Sequence, residues 1–182
     1  MNKTVTHLKN HRPLYFAIGF TLVFVLYISL VLVPFSSCYR LNGGSNSLGL
    51  SIYNTEMVQS FFQARDQAQL FCYSQFLQFY DVIFAVLSTA MFGSWIVYFF
   101  KNKRLLLVAP TVLGMIADWS ENFLELLMLK TYSYSGAISE TLVSLGSGLN
   151  IFKLTMAGLT YLIILVGIIL LIKTLITRPK RV

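Results

Sequence analysis

Four apolar runs, at residues 14–34, 77–100, 105–129 and 150–172, limit what this chain can become. Each is near the ~20 residues a helix needs to cross a bilayer. In hydrocarbon a backbone must satisfy its own polar groups, so the runs are expected to be helices. A hydrophobic share of 56% fits this reading, since soluble domains hold roughly 45–50%. The expectation is one all-α domain over residues 1–182: an integral membrane four-helix bundle, with residues 35–76 as its main external segment. The 182 residues leave no length for a second soluble domain.

The net charge of +7 could suggest nucleic acid, but its placement points to topology. Lys3, Lys9 and Arg12 precede the first run, and Lys101, Lys103 and Arg104 separate the second from the third. Lys173, Arg178, Lys180 and Arg181 follow the fourth. Four crossings put these three segments on one side, and basic loops face the cytoplasm, so both termini are expected inside. The seven acidic residues all fall in external or membrane segments. His7 and His11 have a metal pair's i, i+4 spacing, but they sit in a basic tail with no further ligand and read as solvated.

The run at 14–34 is too long for the core of a cleaved signal peptide, so a retained helix is expected. Phe35-Ser36-Ser37-Cys38 has the outline of a lipoprotein cleavage box, but its aromatic first position and the long run before it argue against processing. Asn42 to Ser47 is a turn region rich in breakers. Asn54 is a candidate N-cap for one interfacial helix from Glu56 to Phe76, leading into the second span. Cys38 and Cys72 either bridge this segment in an oxidising compartment or remain two buried thiols.

The candidate site lies in the third run. Asp118, Glu121, Asn122 and Glu125 follow i, i+3, i+4, i+7, which puts them on one helical arc of roughly 100°. Ionisable groups inside a membrane are costly and mark function by default. Gln78, Asp81 and Ser88 share a face of the second run; Asn150, Lys153, Ala157 and Thr160 share one of the fourth. Counting from the cytoplasmic ends puts Asp81 and Lys153 at ~30 Å and the three acids of the third helix at ~20–30 Å. All five charged groups therefore meet in the outer half. One lysine against four acids leaves a deficit of three charges, and Arg65 is the expected second cation.

Phe79-Tyr80-Asp81-x-x-Phe84, Ala117-Asp118-x-x-Glu121-Asn122 and Lys153 resemble a group of bacterial four-helix membrane proteins. That likeness covers most of the chain and implies a bacterial inner-membrane topology, but no activity. A looser likeness is to the emopamil-binding and sterol-isomerase class, which also holds carboxylates inside a small membrane bundle. That class uses an intramembrane histidine, whereas both histidines here precede the first run.

Three readings compete. The first is an externally open pocket for a small molecule, lipid head group or cation, with acid–base chemistry as one use of its carboxylates. The second is polar glue, an inefficient use of four acids when polar contacts between membrane helices average ~0.6 kcal/mol. The third is proton- or ion-coupled transport, opposed by an apolar inner half and the lack of a repeat. Membrane lipids are the expected partners, with a lipid-like ligand. No residue pattern calls for a cofactor, a metal or nucleic acid.

Overall fold

In a computed structural model the chain is all-α, with no strand among the described residues, which are 3–41, 47–100 and 104–177. Side chains are not described for residues 3–11, Arg104 and Leu175. Residues 42–46 of the expected turn region, the basic residues Lys101, Lys103, Arg178, Lys180 and Arg181, and the side chains of His7 and His11 lie outside the described set.

Helix α1 runs Lys3–Tyr27 and continues through a π turn, Ile28–Leu32, into Val33–Ser36. Its first residues were expected as a loose tail, but no breaker interrupts them before Pro13, and the helix absorbs them. A 3₁₀ turn, Leu48–Leu50, leads to α2, Thr55–Gln63. Helix α3 has three parts: Gln67–Gln75, a π turn at Phe76–Tyr80, and Asp81–Phe99. Helices α4, Arg104–Ser135, and α5, Glu140–Thr177, are joined by a short loop. Gly136 makes that turn at φ 70°, a left-handed C′ position that glycine adopts at least cost. The loop is shorter than the gap between the apolar runs at 105–129 and 150–172, because α4 runs on to Ser135 and α5 starts at Glu140.

Among the described residues, three segments are long and apolar enough to cross a membrane: Arg12–Ser36, Gln67–Phe99 and Glu140–Thr174. Helix α4 is also long, at 32 residues, but Asp118, Glu121, Asn122 and Glu125 dilute its hydropathy. Outward faces are apolar: Leu22, Leu30, Leu162 and Ile169 are all more than half exposed.

The packed core sits over one end of these helices. Tyr39, Leu48, Tyr53, Val58, Phe61, Phe62, Tyr73 and Leu77 are buried there with Met128 and Val143. Residues 39–41 and 47–77 thus form a cap. The single helix expected from Glu56 to Phe76 is instead two. Asp66 caps a new helix with a reciprocal box: its Oδ1 accepts from Gln69 N at 2.8 Å, and its own N donates to Gln69 Oε1 at 3.0 Å. Asn54 caps α2, accepting from Met57 N at 2.9 Å. The apolar face of α2 packs inward, with Phe61 4.9 Å from the Tyr73 ring and Phe62 5.3 Å from Tyr132. Cys38 and Cys72 are disulfide-bonded, Cα atoms 6.3 Å apart, tying the end of α1 to α3.

Candidate functional site

Three helices bring the charged groups together. Lys153 of α5 lies between two acids of α4, its Nζ 2.5 Å from Glu121 Oε2 and 3.2 Å from Asp118 Oδ1. Asn150, one turn earlier, donates to Glu121 Oε1 at 2.6 Å. From α3, Asp81 Oδ2 accepts from Asn122 Nδ2 at 2.9 Å. Tyr73, also on α3, donates its hydroxyl to Glu125 Oε2 in a short hydrogen bond.

Sequence reasoning missed two contributors. Gly49, in the 3₁₀ turn of the cap, lowers its carbonyl into the cluster, where it accepts from Lys153 Nζ at 3.0 Å and Asn150 Nδ2 at 2.9 Å. A Cβ at Gly49 would stand 3.0 Å from Lys153 Nζ and 3.4 Å from Glu121 Oε1, so the close approach needs glycine. Tyr73 was the other, since tyrosine in an apolar stretch carries no signal of a carboxylate partner. Gly49 stands two residues past the turn region read at 42–47, between Leu48 and Leu50, and nothing around it marked it.

Two expected members lie elsewhere. Gln78 is exposed, because the π turn at Phe76–Tyr80 inserts a residue just before Asp81 and rotates the face it was expected to share. Arg65 is buried in the cap, where it donates from Nε to Tyr39 O at 2.9 Å and from Nη1 to Phe61 O at 2.7 Å. Its guanidinium carbon sits 3.4 Å above the Phe61 ring. The ion pairs among the described residues are those of Lys153. Burial lowers the Arg65 pKa. Burial also pushes the Tyr39 and Tyr53 phenols well above their ordinary value, helped at Tyr39 by Asp81 and at Tyr53 by Glu125 and then Glu121, so both stay neutral.

The cluster has two sides. Glu121, Glu125 and Asn150 are all but inaccessible, at 0%, 1% and 0% exposure. Asp81, Asp118, Asn122 and Lys153 instead line a cavity of about 520 Å³. The rest of its wall is mostly apolar, including Phe24 of α1, Phe84 and Phe92 of α3, Met115 of α4 and Tyr161 of α5. Arg40 and Ser47 form part of the wall on the cap side. Neighbours 121 and 122 part company because successive helical residues point ~100° apart. The cavity passes Ser88, Thr89, Thr111 and Thr160. Thr111 and Thr160 turn their hydroxyls back to their own helix, onto Val108 O and Met156 O, each bond under 3 Å. Beyond them Phe92 and Tyr161 meet edge to face at 5.4 Å. No group of three or more His, Cys, Asp or Glu among the described residues is arranged to hold a metal.

No family model matches this chain, and no curated protein or solved structure does either.

Proposed function

We propose that the chain is a multi-pass membrane protein that binds a small amphiphile, in a cavity with one polar end, in the outer half of a four-helix bundle. The carrying observation is the wall itself: Asp81, Asp118, Asn122 and Lys153 at one end of about 520 Å³ of otherwise mostly apolar lining. Ligand pockets span ~300–1,000 Å³ and combine apolar walls with a few convergent polar groups. In this reading α4 is the fourth span, its polar stripe turned to its neighbours, and both termini are cytoplasmic, as the basic segments favour. The cap then lies on the outer face, where a disulfide is at home.

The closed side of the cluster serves the bundle. Glu121 gathers Lys153 and Asn150, and Gly49 joins both to the cap, so these groups hold the polar wall in place. Transport is less well supported, because the Ser88, Thr111 and Thr160 hydroxyls donate to their own helices, Thr89 donates to Thr111 O, and the Phe92–Tyr161 pair follows.

Ala157 lines the cavity on α5, so Ala157→Phe should fill it while leaving the cluster intact. The test is mass spectrometry of amphiphiles that co-purify with the parent and this variant. A stoichiometric lipid-like species present with the parent and depleted in the variant supports the reading. Equal recovery from both rejects it.

A further inference from the structure

We infer that the occupant is a single-chain amphiphile with a primary ammonium head group, an assignment that rests on the amphiphile reading above. Two carboxylates, Asp81 and Asp118, line the cavity, with one ammonium, Lys153, beside them. That ammonium is shared with Glu121, which is off the wall and closer to it, at 2.5 Å against 3.2 Å for Asp118. Asp81 receives one amide N–H from Asn122. Asp118 Oδ2 is buried and has no hydrogen-bond partner among the described residues. Partly buried carboxylates that share one cation and one amide donor call for a further donor that is also a cation.

A primary ammonium supplies three N–H donors from one point charge. An anionic head would instead meet two carboxylates at short range. The other cation on the wall, Arg40, is exposed on the cap side, where water and salt screen it. Tyr39 and Phe76, whose rings meet edge to face at 5.1 Å, also line the cavity.

The apolar length points to one chain. From Asp81 to Phe92 the wall of α3 spans eleven residues, or ~16 Å; from Asp118 to Pro110 and from Lys153 to Tyr161 it spans eight, or ~12 Å. Phe92 and Tyr161 mark the inner end. A space of that depth and about 520 Å³ suits one extended alkyl chain, with the head at the Asp81–Asp118 end.

The experiment uses the whole protein in nanodiscs of neutral lipid, titrated calorimetrically with dodecylamine, dodecanoate and dodecyl maltoside. The expected result is saturable binding of dodecylamine at least tenfold tighter than dodecanoate. Asp81→Asn should lower the amine affinity tenfold or more and leave the maltoside unchanged. Should the variant fail to melt as a folded protein, the three head groups on the parent decide alone. If all three probes bind alike, the amphiphile reading stands and the ammonium inference is overturned. An amine preference that survives in folded Asp81→Asn overturns it too, since the head would then lie elsewhere. If none binds, both fall.

Discussion

Lys153 and Gly49 are joined by a hydrogen bond of 3.0 Å from an ammonium deep in α5 to a backbone carbonyl of the cap, 104 residues earlier in the chain. The same carbonyl takes a second hydrogen bond from Asn150. Through it, the charged cluster and the cap are one structural unit.

Lys153 should therefore be the most costly single deletion in the cluster. Lys153→Met leaves Asp118 and Glu121 without their cation and Gly49 with one donor fewer. Breaking a buried pair from one side costs about 3–5 kcal/mol. Adding Glu121→Gln should restore much of that loss. Melting of the purified single and double variants checks both numbers; a Lys153→Met protein that melts like the parent from pH 5 to 8 would mean that the ammonium merely snorkels.

Gly49 makes a sharper local test. A Cβ there meets Lys153 Nζ at 3.0 Å, whereas one at Gly148 of α5 meets nothing within 4 Å. Gly49→Val should lose about 1–3 kcal/mol by overpacking against a side chain held by three partners. Gly148→Ala should be neutral or gain about 0.5–1 kcal/mol, as expected in a helix interior. Equal effects in chemical denaturation would deny that Gly49 is closely packed.

How far the site was legible follows from these residues. Asp118, Glu121, Asn122 and Glu125 were readable because helical spacing alone puts them on one stripe, and Lys153 because its depth matches theirs. The division of that stripe was not. Whether Glu121 is sealed while Asp118 faces a cavity depends on how α5, α3 and the cap approach α4, and none of that is local. Gln78 was misplaced by a single inserted residue, which no hydrophobic pattern reports. The break after Gln63 was present as Asp66-x-x-Gln69, a capping pattern outweighed by the absence of glycine and proline.

The disulfide closes a separation of 34 residues that contains Gly49 and α2. Closing such a loop contributes about 3–4 kcal/mol in the chain-entropy account. Reduction, or Cys72→Ser, should lower the melting temperature and shift mobility on a non-reducing gel. Unchanged mobility after reduction would mean that the two thiols are not bonded in the purified protein.

Topology sets the depth of every charged group. Reporter fusions after residue 182 and within residues 101–104 should read cytoplasmic, and fusions near residue 45 and at Ala137 should read external. A cytoplasmic signal near residue 45 would invert the bundle and place the cluster in the inner half.

The central claim is that one side of the cluster opens to an amphiphile-sized cavity and the other is closed. An apolar carbodiimide, dicyclohexylcarbodiimide, forms stable adducts with carboxyl groups that it can reach from an apolar phase. The parent protein in nanodiscs would be labelled and its adducts mapped by peptide mass spectrometry. The account predicts modification at Asp81 or Asp118, reduced by Ala157→Phe, with none at Glu121 or Glu125. Adducts at Glu121 or Glu125, with Asp81 and Asp118 untouched, would contradict it.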